Sequence, residues 1–480
     1  MNPQIRRLTY VIVAMFVTLM CALTYHQVLD APKLNADPRN ARAIYATYGR
    51  DRGSIIVQGE AVASSTKSDD AYKYQRHYKP GSLYALSTGY YSTAFSSTTG
   101  LEKEMNRVLD GTSTTLLRSR IQRLFTGAQP QGGSVELTLN ATAQQAAAKA
   151  LGDKRGAVVA LDPKTGAILA LYSSPSFDPN ALATHDSAKA QEAYDAMLKD
   201  PNQPLENRAF GGHRYAPGST FKIITAAAML ESGNYTPDTK IDSPVSIPLP
   251  GTQSTLANDN NEHCGDGHPS LSLAFALSCN TTFAKAGMEL GEQALAKKAA
   301  DFGFGNTPTI PLVGAPSVFP KDMAQAQVAM SAIGQFDVSV TPLQMVEVAA
   351  TVANGGTHMK PYLVSRILDA DLAEQDKTTP TKAGQPISAD TATKLTRMMV
   401  GVTQRGTGKA AAIPGIEVAG KTGTAERGDV ADAWFVGFAP ANQPQVAVAV
   451  IVEGGQGSAV AYGGEVAAPV AKAVMGAIIK

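Results

Sequence analysis

The sequence is poor in cysteine, tryptophan and charge. Three cysteines in 480 residues exclude a disulfide-dense scaffold, which a chain able to bury a large core does not need. A single tryptophan argues against a bundle of membrane spans ringed by aromatic belts. Charged residues make up 17%, against a usual share of about 25%, and the formal net charge is +1. There is therefore no basic footprint for nucleic acid and no acidic tail. The chain is still not a disordered one, because 44% of it is hydrophobic and disorder needs low hydrophobicity with high net charge. No HExxH helix and no GxGxxG between strand and helix occurs, and no internal repeat. At about 100–200 residues per domain the length allows two to four domains.

One long apolar run is present. Leu8 to Tyr25 carries no charge, follows Arg6 and Arg7, and precedes Asp30. Its length is at the short end of the range of about 17–25 residues for a transmembrane helix. The positive-inside rule then puts residues 1–7 in the cytoplasm as a stub, 8–28 in the membrane as a single-pass anchor, and the remainder outside. A cleaved signal peptide is the competing reading. It needs small residues at a cleavage site, and none is well placed before His26-Gln27, while Leu19 and Met20 are too bulky for lipoprotein processing at Cys21.

Residues 29–133 read as a linker, rich in Pro, Asn and Asp up to Asn40, followed by a weakly periodic Tyr/Ser/Thr/Gly-rich domain that ends at Gly132-Gly133. From 134 to 480 the pattern is denser. Ser134–Leu139 alternates like a strand. Asn140 caps a helix over Ala141–Leu151 that Gly152 ends. Two apolar runs flank Asp162-Pro163-Lys164-Thr165-Gly166 as a hairpin. Gln445–Glu453 reads as a strand, and Pro469 opens a closing helix. These elements predict an α+β catalytic domain with an antiparallel sheet flanked by helices. At about 345 residues it exceeds a single core of roughly 250–300, so a helical subdomain is expected beside the sheet.

His263, Cys264, His268 and Cys279 fall close together, but their spacing fits no standard zinc pattern, and neither a metal nor a cofactor is expected. Ser219-Thr220-Phe221-Lys222 is the stronger candidate. It lies between a turn, Tyr215–Gly218, and a helix over Ile223–Glu231. A serine at a helix N-terminus and a lysine three positions on share a face, and a desolvated lysine can act as the base for a serine nucleophile. Alone the tetrapeptide reads sooner as a capping serine and a solvated lysine, and Ser64–Lys67 is a second instance. Ser278-Cys279-Asn280 and Lys421-Thr422-Gly423-Thr424 change that, because together they give the order S-x-x-K, S-x-N, K-T-G. Lys164-Thr165-Gly166 and Ser232-Gly233-Asn234 are decoys, one preceding the serine and the other at the far end of its helix. The segment from Lys421 runs toward a buried-strand pattern, Ala433–Phe438, so an edge strand carrying Lys421 is expected to line a cleft floored by Ser219.

With these motifs in place the chain resembles a class B penicillin-binding protein, closest to the actinobacterial penicillin-binding protein A group. The likeness covers roughly Ser134 to Lys480, through residues 155–180, 207–222, 270–281, 340–356 and 418–426. In the N-terminal part it rests on 50–55 (RDRGSI), 77–92 and 99–102 (TGLE). The resemblance implies the penicillin-binding transpeptidase fold shared with serine β-lactamases, behind a small pedestal domain. It implies Ser219 as the acylated nucleophile, Lys222 as its base and Ser278 as the proton relay to the leaving amine. It implies Asn280 on the substrate amide, and Lys421, Thr422, Gly423 and Thr424 on the terminal carboxylate and peptide strand. The oxyanion hole would be the N–H groups of Ser219 and Thr424. The substrates implied are peptidoglycan stem peptides, with β-lactams as inhibitors, and the partner implied is a membrane-embedded glycan polymerase of the shape and division type. Cys279, where some relatives have Asp, is expected to pair with Cys264 in an oxidising compartment, the alternative being two free thiols. Cys21 is expected to stay free.

Other functions share these motifs. A β-lactamase would be smaller, would lack a pedestal, and usually carries an ELN-type glutamate motif between S-x-N and K-T-G that is not found. A D,D-carboxypeptidase differs only in using water as acceptor and stays open. A signalling β-lactam receptor would need more than a seven-residue stub, and a bifunctional enzyme would need a glycosyltransferase domain before Ser134.

Overall fold

The structure, a computed structural model, describes residues 3–35, 45, 48–127, 131–427, 430–454 and 462–479. Helix α1, Pro3–Thr24, continues through a π-turn to Leu29. Over Pro3–Leu29 it is long and apolar enough to cross a membrane, with a mean hydropathy of 2.0, and none of it is buried against the protein. The helix extends past the expected 8–28 segment and takes in Arg6 and Arg7.

The pedestal is a mixed six-stranded sheet. Its first strands are β1 (Ile55–Val57), β2 (Glu60–Lys67) and β3 (Tyr74–Tyr78). A helical excursion follows, ending in α2 (Leu117–Thr126), and β4 (Ser134–Leu137) returns parallel to β1. Beneath the sheet lies a buried ion triad. Glu102 accepts from Arg52 Nε at 2.5 Å and from Arg76 Nε at 2.7 Å, with the Tyr78 hydroxyl at 3.2 Å. Burial alone would raise the Glu102 pKa, but Arg76 and Arg52 outweigh it and hold the carboxyl below its usual range. Thus the 50–55 and 99–102 segments, noted in the sequence for their likeness, meet in one network. Losing one member would leave an unpaired buried charge, which costs about 3–5 kcal/mol.

The chain then builds the catalytic layers. Helix α3 (Ala141–Leu151) is capped by the Asn140 side chain, which accepts from Ala143 N, and ends at Gly152, whose φ is +55°. The hairpin β5 (Gly156–Leu161) and β6 (Ile168–Ser174) follows, then α4 (Lys222–Glu231), α5 (Leu271–Leu277), α6 (Asn280–Asp301) and α7 (Pro342–Ala353). Two strands, β7 (Val364–Leu368) and β8 (Glu374–Lys377), go back to the pedestal, where β7 pairs antiparallel with β4. The pedestal sheet therefore runs β8-β7-β4-β1-β2-β3, and the expected division at 133/134 falls just before one of its strands. The chain closes with α8 (Ala389–Gln404), β9 (Ala419–Arg427), β10 (Val430–Ala439), β11 (Val446–Val452) and α9 (Ala467–Ile478).

The catalytic sheet has the order β9-β10-β11-β5-β6, every pair antiparallel. Its central strands read as unbroken apolar runs because both faces are covered. Alternate residues point to opposite faces. Ala447, Ala449 and Ile451 enter one core with Trp434 and α7, while Val448, Val450 and Val452 enter the other with Phe435, α3 and α9. Helix α7 is buried along nearly its whole length, with Pro342 at its first turn and the Thr341 hydroxyl accepting from Gln344 N. This three-layer body leaves β9 at an edge, beside the start of α4.

Candidate active site

The sequence around Ser219 forms a 3-10 turn, Gly218–Phe221, before the α-helix begins at Lys222. Residues three apart eclipse in such a turn, so Ser219 and Lys222 project to the same side. Gly218 has φ +51°, and a Cβ there would stand 2.5 Å from the Thr424 carbonyl oxygen. A Cβ on Gly423 would lie 2.9 Å from the Pro217 carbonyl oxygen. These two glycines let the Ser219 turn lie directly on β9.

Lys222 is fully buried, which sets aside the reading of a solvated helix lysine. Its Nζ donates to Ser278 O at 2.7 Å, to Asn280 Oδ1 at 2.7 Å and to Ser278 Oγ at 3.3 Å. The reach to the Ser219 hydroxyl expected from the spacing is not realised as a hydrogen bond; the amine is turned to the S-x-N element instead. That element is the junction between α5 and α6. Ser278 sits there at φ +64°, a region few non-glycine residues occupy. In this conformation its hydroxyl also accepts from Lys421 Nζ at 2.9 Å. Asn280 Nδ2 donates to Ala257 O and Asp259 Oδ1, both at 3.2 Å. Cys279 is joined to Cys264, with the Cα atoms 5.8 Å apart. The bond uses both sulfurs considered for zinc and ties the Asp259 loop to the S-x-N turn. Cys21 stays unpaired.

The third element is the edge strand β9. Lys421, also fully buried, faces Ser278, while the Thr422 hydroxyl pairs with that of Thr407 at 2.5 Å. Thr424 lies opposite Ala433 of β10, and the other edge of β9 carries no strand among the described residues.

The two amines share one hydroxyl and so lie within about 6 Å of each other. Two unit charges at that distance repel by about 3 kcal/mol at an effective dielectric of 20, or roughly two pH units. Burial lowers the Lys222 pKa well below the lysine range, the Lys421 charge lowers it further, and Asp259 opposes both. Burial pushes Lys421 down to about 7, again against Asp259. Burial and the repulsion of like charges therefore both favour loss of a proton from the pair.

The structure brings Ser219, Lys222, Ser278, Asn280, Lys421, Thr422, Gly423 and Thr424 together where the Ser219 turn, the α5–α6 junction and β9 meet. The decoys lie elsewhere: Ser64–Lys67 along β2, Lys164–Gly166 in the β5–β6 turn, and Ser232–Asn234 beyond α4. Several neighbours had no motif to announce them. Trp434 Nε1 donates to Ala216 O at 3.0 Å, and the Tyr215 hydroxyl donates to Glu453 Oε1 at 2.7 Å. Glu453 also accepts from the buried Arg208 at 2.8 Å and from Arg155 at 2.7 Å. The only hints were a lone tryptophan inside a strand and a carboxylate closing an otherwise apolar one. Asp259 and Thr407 gave no hint.

An antiparallel sheet between helical layers, with a serine–lysine turn facing an edge strand, defines the penicillin-interacting serine proteins as a class. The comparisons carry this further. Residues 156–476 match the family model described as penicillin binding protein transpeptidase domain, and residues 52–135 match the penicillin binding protein A dimerisation domain. The chain belongs to the penicillin-binding protein transpeptidase family. It is 43% identical to the peptidoglycan D,D-transpeptidase PbpA of Mycolicibacterium smegmatis, over 100% of this chain and 99% of that one. The ceftriaxone acyl-enzyme complex of penicillin-binding protein A from M. tuberculosis superposes with a TM-score of 0.88 at 41% identity, covering 91% of this chain and 100% of that one. A D,D-transpeptidase domain from Eggerthella lenta gives 0.77 at 35% identity, covering 89% and 98%.

Proposed function

We propose that this protein is a peptidoglycan D,D-transpeptidase that works through a Ser219 acyl-enzyme and is acylated at the same residue by β-lactams. The observation that carries the reading is the Ser278 hydroxyl held between two buried amines, 3.3 Å from Lys222 and 2.9 Å from Lys421. Neutral Lys222 takes the Ser219 proton as Oγ attacks the penultimate D-Ala carbonyl of a stem peptide. The N–H groups of Ser219 and Thr424 hold the developing oxyanion, where one donor is worth roughly 10²–10³ in rate. Ser278 passes the proton to the amine of the departing D-Ala. A neighbouring stem's amine then attacks the acyl carbon and passes its proton through Ser278 and Lys222 to the departing Ser219 oxygen, which leaves as the cross-link forms. Cationic Lys421, with Thr422 and Thr424, holds the terminal carboxylate. Asn280 holds the substrate amide, and Gly423 lets the peptide strand and the Ser219 turn approach β9.

Helix α1 supports single-pass anchoring, and Arg6 and Arg7 before its uncharged run support a cytoplasmic N-terminus with the catalytic domain outside. Residues 29–133 act as linker and pedestal and 134–480 as the transpeptidase, with Ser134–Leu137 and 364–377 lent to the pedestal sheet. The class B likeness supports a membrane-embedded glycan polymerase as partner.

Fluorescent penicillin tests the nucleophile: Ser219→Ala is expected to abolish labelling, and retained labelling overturns the assignment. A donor thioester with a D-amino acid acceptor tests the reaction. Exchange product is expected, whereas hydrolysis alone marks a carboxypeptidase.

A further inference from the structure

The pedestal carries one helix whose faces are reversed. At about 100° per residue, Leu117, Ile121 and Phe125 of α2 fall within about 80° of one another, with Arg118 bordering the stripe on one side and Arg120 on the other. Arg123 lies on the opposite face, and its guanidinium pairs with Asp371 at 2.8 Å, at the tip of the β7–β8 hairpin. The polar side of the helix thus faces the protein and the apolar side faces out. Leu117 is 52% exposed, Ile121 46% and Phe125 89%. A surface helix normally turns its apolar stripe to the core, and a contiguous outward one marks an interaction surface.

The chain path says which way this surface faces. The segment arriving from α1 meets the pedestal at Tyr45 and Tyr48, whose rings lie against Tyr72 and Tyr91, and enters the sheet at Arg50–Gly53. There Arg50 reaches Asp110 O, Gly53 N donates to Leu109 O, and Asp51 bridges Gln131. The excursion that carries α2 therefore leaves and rejoins the sheet where the chain enters from the apolar helix. Leu368 lies opposite Ser134, which places the β7–β8 tip, with Leu372 60% exposed, at the same end. Thirteen residues from Asn35 to Tyr48 span at most about 45 Å, so this end lies within that reach of α1. Charge adds a second constraint, because between Asp110 and Glu136 there are three arginines and no acidic residue.

We propose that α2 is a second membrane attachment, lying in the interface of the bilayer that holds α1. Leu117, Ile121 and Phe125 enter the boundary between headgroups and acyl chains, and Arg118 and Arg120 pair with anionic lipid phosphates. Cations along both borders of an apolar stripe are the pattern of an in-plane helix whose basic side chains reach headgroups on either side. Attachment at two points fixes the tilt of the pedestal, and with it the height and direction of the active site above the membrane, which attachment at one point does not set. The proposal rests on the anchoring reading.

The test uses the full chain carrying Phe125→Trp, reconstituted into vesicles with bromine-labelled acyl chains. The native Trp434 is fully buried and supplies a constant background, taken from the unsubstituted chain. In vesicles containing phosphatidylglycerol, the F125W indole is expected to be quenched at least twofold by bromolipid and shielded from iodide. Arg118→Glu with Arg120→Glu is expected to remove most of that quenching, as is replacing the anionic lipid with phosphatidylcholine. An indole open to iodide, or one shielded but not reached by bromolipid because a protein covers it, overturns the docking. Equal quenching in both lipids overturns the anionic recognition. Flotation after a high-salt wash separates the readings: protein that floats with an exposed indole refutes only the docking, whereas protein that does not float refutes the anchor as well.

Discussion

Replacing Glu453 by alanine tests whether the Ser219 turn is held from behind by charge. The carboxylate binds the fully buried Arg208, the Tyr215 hydroxyl and Arg155. Without it Arg208 keeps only the carbonyl oxygens of Gln203 and Asn202, at 3.0 and 2.9 Å. A buried cation stripped of its partner costs about 3–5 kcal/mol. For a domain of about 320 residues, unfolding entropy is about 0.7 kcal/mol/K, so Glu453→Ala should lower Tm by about 4–7 °C. Tyr215→Phe removes one hydrogen bond to a charged acceptor and strands no charge, at about 1.5–3 kcal/mol, or about 2–4 °C. Arg155→Ala removes a partner one-third exposed and should change little. Tyr215 lies four residues before Ser219, and its backbone is bridged both ways to Val340, at 2.9 and 2.8 Å. Acylation by penicillin should therefore slow in the Glu453 and Tyr215 variants and not in the Arg155 variant. The sign with pH follows from the carboxyl group. Burial would raise its pKa, but the Tyr215 hydroxyl, Arg208 and Arg155 hold it below the usual range. Its stabilisation is then complete above the unfolded value of about 4.3 and fades as pH falls through the folded one, so the gap between parent and Glu453→Ala should narrow in acid. Calorimetry with a stopped-flow acylation assay reads both quantities. A Glu453→Ala protein melting within 1 °C of the parent at neutral pH would refute the reasoning.

The second-order rate of acylation should be bell-shaped in pH, because it needs Lys421 charged for the carboxylate and Lys222 neutral as base; it reports the free enzyme. With Lys421 at about 7, the alkaline limb should fall through neutrality, and a rate still climbing at pH 9 contradicts the assignment. Asp259→Asn removes the charge that raises both amines, so that limb should shift to lower pH, as a profile on the variant will show. Gly218→Ala forces a Cβ against the Thr424 carbonyl at positive φ and should cut penicillin acylation by more than tenfold with the fold retained by circular dichroism; near-parent labelling counts against the close approach of turn and strand. Cys264→Ser opens a crosslink of sequence separation 15, worth about 3 kcal/mol in the chain-entropy model. It should lower Tm by about 4 °C, and an equal Tm with and without reductant in the parent would be the opposite result.

The sequence was most informative where chemistry and local structure coincide. Helix α3 was legible to the residue, because Asn140 and Gly152 are punctuation that acts within a few positions of chain. The β5–β6 hairpin and the closing strand were legible because a run buried on both faces leaves no polar positions. The three motifs were legible only as an ordered set, since each short string recurs as a decoy and only the fold shows which copies meet. What stayed hidden depends on contacts between distant segments. Nothing near Glu453 in sequence announces Arg208 or Tyr215, more than two hundred residues away, and β7 pairs with β4 across a similar distance. Asp259 was hidden for another reason: its influence on two buried lysines is a matter of position in space, and its loop is held there by the Cys264–Cys279 bond and by Asn258, which accepts from Thr281 N at 3.0 Å. The division of labour between the lysines lay between these extremes. Spacing alone offered Lys222 as a base if desolvated. Only the Ser278 hydroxyl, turned by a left-handed residue to face both amines, brings the two buried lysines close enough for their like charges to repel.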